Sequence, residues 1–139
     1  MARPTSFRLA PELLALLDEE AAAAGITVSA LVAGLLDEGL KTRRFPGITY
    51  RDGPAGRRAG LVGGPDVWEV IRDMRSAVGR GEAKIQRVAT ETGLKPAQVR
   101  LAVDFYAAFP DGIDARLAAE EQAGAALREL VARRERLTG

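Results

Sequence analysis

The first 44 residues contain one strand pattern and two helical patterns, a combination that restricts how this segment can fold. Polar and apolar residues alternate over residues 5–9, as in a half-buried strand. Pro11 begins a helical pattern that Gly25 ends, and Thr27 is a good N-cap for a second helix. A lone strand has no hydrogen-bonding partner within the segment, and about 40 residues is near the lower limit of independent folding. We therefore expect two copies of the chain to pair their strands in an antiparallel ribbon.

Two stretches of this segment resemble the ribbon-helix-helix (CopG/Arc-like) family of repressors and antitoxins: FRLAPELL at residues 7–14 and GITVS at residues 25–29. In that family, outward-facing strand residues contact bases and the N-terminus of the second helix holds a phosphate. The resemblance assigns these roles to six residues: Arg3, Ser6, Arg8, Thr27, Val28 and Ser29. A protein ribbon fits the major groove and helix N-termini bind anions, so the assignment is physically consistent. It implies a homodimer, or a higher oligomer, that binds double-stranded DNA.

The net charge of +1 hides an uneven distribution along the chain. Residues 1–40 contain two basic and six acidic residues, whereas residues 41–100 contain thirteen basic and six acidic residues. A basic middle indicates contact with phosphate or another acidic surface, with a merely solvated Arg-rich surface as the alternative. Strong DNA binders neutralise several phosphates, so the acidic balance of the first segment leaves open that it serves only for dimerisation.

The residue types that the chain lacks exclude several kinds of site. It contains no Cys and no His, which rules out a Cys- or His-liganded zinc site and a Ser-His or Cys-His nucleophile pair. No Gly-rich phosphate loop follows a strand and opens a helix, and no apolar run approaches the roughly 18 residues of a membrane span. We therefore expect a protein that is not an enzyme, has no cofactor, does not enter a membrane and is cytoplasmic.

The middle of the chain has the pattern of a small hairpin followed by helices. Residues 48–51 and residues 57–62 have strand character, and Asp52-Gly53-Pro54 between them is a turn signal. From Pro65 onward the apolar spacing becomes helical. The pattern therefore predicts two short antiparallel strands before a bundle of helices.

The spacing of Ala89, Gly93 and Val99 is typical of a helix-turn-helix, in which a small residue, a left-handed turn and an apolar residue fix the two helices together. Many three-helix domains share this spacing without binding DNA. If this unit does bind DNA, four residues are the expected contacts: Arg87, Lys95, Gln98 and Arg100. The alternative is a role in packing or in protein interaction.

Residues 46–115 resemble the VapB-like antitoxins, through Gly56-Arg57-Arg58, residues 67–71, Gly93-Leu94 and residues 102–107. Proteins of that family pair with PIN-like ribonuclease toxins, and their core is a bundle of helix-turn-helix type. The segment from Gly60 to Asp66 is longer than the family pattern. The resemblance implies a PIN-like toxin as a partner but assigns no individual contacts.

The sequence as a whole predicts a mainly α protein with a short N-terminal β-strand. Residues 1–44 are expected to form a ribbon-helix-helix dimer module, and residues 45–139 a small hairpin and helix-turn-helix bundle with a C-terminal helix. The expected function is a DNA-binding transcriptional regulator of antitoxin type. Two alternatives stay open: a stand-alone repressor that uses both modules for DNA, and a protein-interaction adaptor that binds no DNA.

Overall fold

The structure, a computed structural model, describes residues 2–139. Six helices and one two-stranded antiparallel sheet lie in this part of the chain. The chain divides into two compact units, the first ending at Arg44 and the second running from Phe45 to Gly139. The expectation of a mainly α protein is therefore confirmed, and each unit is described separately below.

The first unit contains helix α1 (Pro11–Ala24) and helix α2 (Val28–Arg44). Pro11 occupies the first turn of α1, where a missing backbone N–H costs nothing. Gly25 ends α1 in the left-handed region, with φ 68°, and its N–H donates to the carbonyl oxygens of the last turn. Both ends of the predicted helix are thus confirmed.

The expected N-terminal strand is not formed in the single chain, where residues 2–10 have no regular secondary structure. Ala10 is extended, with φ −60° and ψ 144°, which is compatible with a strand. A strand, however, is defined by a ladder of hydrogen bonds to a second strand, and nothing else in residues 2–44 is extended enough to provide one. The only sheet in the described residues lies in the second unit, so the strand at residues 5–9 stays a prediction about a dimer.

The second unit opens with the predicted hairpin, formed by β1 (Ile48–Arg51) and β2 (Arg58–Leu61). The strands are antiparallel, with Ile48 opposite Leu61 and Arg51 opposite Arg58. Ile48 and Leu61 are both buried, so one end of the hairpin contributes to the core. The hairpin prediction is confirmed.

Four helices follow: α3 (Val67–Ser76), α4 (Gly81–Thr92), α5 (Pro96–Ala108) and α6 (Asp111–Thr138). Gly93 ends α4 in the left-handed region, with φ 75°, as a helix-turn-helix requires. Ala89 and Val99 are buried on the facing sides of α4 and α5. The two helices, the left-handed turn and the two buried residues that the spacing predicts are therefore present.

The core of the second unit lies between the hairpin and helices α3, α4 and α5. Its largest fully buried side chains are Phe105, Leu61, Val67, Val70, Val88 and Val99. The Phe45 ring packs edge-on against the rings of Phe105 and Phe109, with centroid distances of 5.6 Å and 5.9 Å. Edge-to-face contacts are a preferred aromatic geometry and add to the free energy of burial.

Only the first turns of α6 belong to this core. Ile113 is buried and Leu117 packs against the cluster. Leu127, Leu130 and Val131, farther along the helix, are exposed. The apolar face predicted for the last segment is therefore real, but most of it covers nothing within the described residues.

Among residues 2–139, no single helix is both long and apolar enough to cross a membrane. Helices α1 and α2 reach the required length and composition only as a pair, and the chain bends by 101° between them.

Candidate nucleic-acid interface

The first unit leaves most of its apolar side chains uncovered. Within residues 2–44, Leu17 and Ala21 are the only buried apolar residues, whereas Leu35 is 54% exposed and Leu40 is 66% exposed. Exposed apolar surface that repeats along both helices is unusual for a stable monomer and marks an interaction surface. The unit therefore has the surface of a module that is completed by association.

The N-terminal segment presents the side chains that the resemblance assigned to base contact. Arg3, Ser6 and Arg8 are all exposed. Neither arginine has an ion-pair partner in the part of the chain that the structure describes. Phe7, which alternates with them, is 74% exposed. An apolar ring so exposed needs a cover, which a paired strand and the helices of a second copy would supply.

The N-terminus of α2 has the chemistry of a phosphate site. The Thr27 hydroxyl oxygen accepts a hydrogen bond from the backbone N–H of Ala30, at 3.1 Å. Within residues 2–139 the N–H groups of Val28 and Ser29 find no acceptor, and the first turn of α2 contains no acidic residue. Two backbone donors at the positive end of a helix can therefore bind an anion without displacing a carboxylate.

The second set of predicted DNA contacts contains one residue that is already paired. The guanidinium of Arg100 holds both carboxylate oxygens of Glu82, at 2.9 Å each. The hydrogen bond from Arg100 lowers the pKa of Glu82. The same contact raises the pKa of Arg100, to which the charge of Asp104 also contributes. Arg100 is therefore held by Glu82, and contact of its guanidinium with a phosphate or a base would require it to leave that carboxylate.

The remaining residues of this set do not form one surface of available donors. Gln98 uses its side-chain oxygen to accept the backbone N–H of Lys95, at 2.9 Å, and so caps α5. The side chains of Lys95 and Arg87 are exposed. The structure thus places Arg87 and Lys95 on the surface and commits Gln98 and Arg100 to contacts within the unit.

Much of the basic middle of the chain is neutralised internally. Seven of its cations form ion pairs: Lys41, Arg51, Arg57, Arg58, Arg72, Arg75 and Arg100. The other six have no ion-pair partner among the described residues: Arg43, Arg44, Arg80, Lys84, Arg87 and Lys95. Arg80 immediately precedes α4, and Lys84 and Arg87 follow at helical spacing within it. The positive charge that remains for a partner is therefore smaller than the sequence suggested.

A buried carboxylate that sequence reasoning did not single out holds the hairpin to α3. Asp66 accepts hydrogen bonds from Arg51, at 2.9 Å, and from Arg58. Its other contact is the indole N–H of Trp68, at 3.3 Å, and its own backbone N–H donates to the Glu69 carboxylate, at 2.9 Å. The Asp-x-x-Glu spacing before an apolar helix is the signal that identifies such a cap.

A shallow groove between α3 and α6 was also missed. Trp68 and Leu117 form its apolar wall, and Arg72, Arg75, Glu120 and Glu121 surround it. Arg72 and Arg116 lie over the Trp68 ring, 5.3 Å and 5.5 Å from its centroid. The indole is thus covered by two guanidinium groups, a stable cation–π arrangement. Sequence patterns do not reveal this groove, because Arg116 and Trp68 are 48 residues apart along the chain.

No group of three or more acidic, His or Cys side chains within residues 2–139 could hold a metal ion. No family model, curated protein or solved structure matches the chain.

Proposed function

We propose that residues 1–44 form a dimeric ribbon-helix-helix module that binds operator DNA, and that the protein is a transcriptional regulator. The observation that carries this proposal is the combination of two features in one unit. Exposed apolar side chains line both helices, and two backbone N–H groups at the start of α2 have no acceptor in residues 2–139. The exposed apolar side chains favour association with a second copy, and the two N–H groups without an acceptor favour binding of an anion.

The proposed ribbon divides its two faces between protein and DNA. Phe7 and Leu9 alternate with Ser6 and Arg8, so pairing of residues 5–9 in two chains puts both apolar residues on the helix side. Ser6 and Arg8 then face the major groove, where the arginine fork matches the two acceptors of guanine. The amides of Val28 and Ser29 hold a backbone phosphate and fix the register.

The second unit is proposed to bind a PIN-like toxin, which would make the protein an antitoxin. This part rests on the resemblance of residues 46–115 to VapB-like antitoxins. It is supported by the internal pairing of Arg51, Arg58 and Arg100, which leaves this unit few cations for DNA. A regulator of this kind would act in the cytoplasm.

The test is a binding titration with a duplex from the region upstream of the protein's own coding sequence, and a scrambled duplex of equal length. Arg8→Ala should weaken binding to the specific duplex about tenfold or more, because a bidentate base contact is worth about 1–3 kcal/mol. Arg100→Ala, a matched removal of one guanidinium, should change the affinity less than about twofold, since Arg100 is held by Glu82. Equal affinities for wild type and Arg8→Ala would refute the proposal.

A stand-alone repressor that uses both modules is the second candidate. It is favoured by Arg80, Lys84 and Arg87, just before and within α4, which have no ion-pair partner in residues 2–139. In that case Arg87→Ala would lower the affinity for both duplexes, and the affinity would depend on salt concentration as if about one phosphate contact were lost. If the salt dependence of the affinity were unchanged, DNA binding would be assigned to the first unit alone. If the wild-type protein retained neither duplex at low salt, the adaptor without DNA binding would replace both candidates.

A further inference from the structure

The second half of α6 carries an apolar stripe that nothing in residues 2–139 covers. Leu127 is 62% exposed, Leu130 is 64% exposed, and Val131 and Leu137 extend the stripe at helical spacing. The last residue of α6 that packs against the core is Leu117. About 30 Å of helix therefore extends beyond it, at 1.5 Å per residue. Helices in water owe most of their stability to packing of one apolar face, so this stripe calls for a partner.

The charges on α6 are arranged with opposite signs about Leu127. Glu120 and Arg134 lie seven residues on either side of it, about two turns away and on nearly the same face. Glu120 is held by Arg116, at 2.7 Å, whereas the Arg134 guanidinium has no ion-pair partner within the described chain. More broadly, residues 111–124 contain four acidic and one basic residue, and residues 125–139 contain four basic and two acidic residues.

We propose that α6 packs antiparallel against α6 of a second copy of the chain, with the two-fold axis near Leu127. Antiparallel packing buries Leu127 and Leu130 of both copies against each other. It also sets Glu120 of each copy beside Arg134 of the other, so the acidic half of one helix faces the basic half of the other. Parallel packing in register would instead oppose like charges along the whole contact, which is unfavourable.

A glycine in the middle of the helix fits close contact with a second helix. Gly124 lies one turn from Leu127, and an added Cβ there would meet only the side chain of Arg128, at 3.3 Å. Its own chain therefore gives no packing reason for glycine, which costs about 1 kcal/mol relative to alanine in a helix interior. The missing side chain lets another helix approach closely beside the stripe. This interface lies in the second unit and does not depend on the proposed DNA-binding module.

The test uses single cysteines, since the natural chain has none. Three variants of the full-length protein are oxidised mildly and run on non-reducing gels: Leu127→Cys, Ala125→Cys and Leu137→Cys. A disulfide needs Cα atoms within about 7 Å. Antiparallel pairing brings the two copies of residue 127 together, turns Ala125 to the opposite face, and separates the two copies of residue 137 by about 30 Å. Far-ultraviolet circular dichroism checks that each variant keeps the wild-type helix content.

The expected result is that Leu127→Cys forms disulfide-linked dimers at least about tenfold faster than both other variants. A rate for Leu127→Cys no greater than that of Ala125→Cys would overturn the proposal and assign the stripe to a different protein. Equally fast cross-linking of Leu137→Cys would overturn it in favour of parallel helices. Leu127 contacts no core residue, so its substitution does not threaten the fold that the test requires.

Discussion

The carboxylate of Asp66 lies 2.9 Å from Nη1 of Arg51, with its side chain only 8% exposed and the Arg51 side chain 31% exposed. The same guanidinium donates to the carbonyl oxygens of Leu61 and Gly64. Asp66 is the N-cap of α3, and Arg51 ends β1. One ion pair therefore joins the hairpin to the first helix of the bundle, and Arg58 adds a second bond to the same carboxylate.

Replacing Asp66 by asparagine should destabilise the second unit by about 3 kcal/mol, because breaking a buried ion pair leaves the cation without compensation. Asparagine keeps the size of the side chain, so the loss of stability measures the contribution of the negative charge. Urea unfolding followed by the fluorescence of Trp68, the only tryptophan, measures the change. Asp52→Asn is the matched control in the same hairpin: its side chain is 87% exposed, and it should cost less than about 0.5 kcal/mol. Equal losses in the two variants would contradict the assignment.

Two glycine substitutions, one in the turn between α4 and α5 and one in the first turn of α6, should have opposite effects on stability. Gly93→Ala should destabilise the second unit by about 1 kcal/mol, because a Cβ is strained at φ 75°. Gly112→Ala, in the first turn of α6 with nothing within 4 Å of the added Cβ, should stabilise it by up to about 1 kcal/mol. The same fluorescence-monitored unfolding measures both. Effects of the same sign would show that the left-handed turn does not hold these helices.

The pair of Glu82 and Arg100 predicts a pH-dependent effect on stability. Folding lowers the pKa of Glu82, chiefly through the hydrogen bond from Arg100. The contribution of the pair is therefore complete above the ordinary glutamate pKa and is lost as the pH falls through the lowered value. The difference in unfolding midpoint between wild type and Glu82→Gln should shrink on acidification. Glu91, on the same helix, forms no ion pair within residues 2–139, so Glu91→Gln should stay close to wild type at neutral pH.

A second consequence of this pair concerns DNA. If α5 contacted DNA through Arg100, Glu82→Gln would release the guanidinium and tighten binding. If the DNA contacts come from the first unit, as proposed, Glu82→Gln should change the DNA affinity by no more than about twofold. A clear gain in DNA affinity would contradict this and would assign DNA binding to the helix-turn-helix.

The sequence predicted local structure well where a backbone signal was strong. Gly25 and Gly93 end helices in the left-handed region as expected, and the hairpin forms at the expected strands. The glycine in β2, which weakened the strand pattern, has a physical reason: a Cβ at Gly60 would lie 2.6 Å from the guanidinium carbon of Arg51. The position must stay empty so that Arg51 can reach Asp66.

The candidate sites were less predictable because they depend on which charges meet. A helical pattern does not distinguish the four predicted contacts Arg87, Lys95, Gln98 and Arg100. Only the fold shows that Arg100 is held by a residue 18 positions away in the sequence. Arg116 reaches the Trp68 ring from α6, 48 residues farther along the chain, which no local pattern can reveal. The N-terminal strand is a different case, because its hydrogen-bonding partner lies in another molecule.

Dimerisation through the first unit predicts that an exposed leucine is essential. Leu35→Asp should abolish the dimer formed by this unit, because the side chain is 54% exposed in one chain but would be buried between two. Analytical ultracentrifugation of the full chain measures the change in mass, with Leu127→Asp present in every variant compared so that pairing of α6 cannot hold two copies together. Ala30→Asp, on the opposite face of the same helix, is the control and should leave the mass unchanged. Unchanged association of Leu35→Asp would contradict a helix interface on α2.

Hydrogen exchange at the backbone amides of residues 5–9 tests whether these residues of two chains pair as a ribbon. In the single chain these amides donate no backbone hydrogen bond, so they would exchange as in an unstructured segment. A ribbon formed by two chains protects alternate amides, so these amides should exchange slowly in the wild-type protein and fast in Leu35→Asp. Fast exchange throughout residues 5–9 of the wild-type protein would contradict the ribbon.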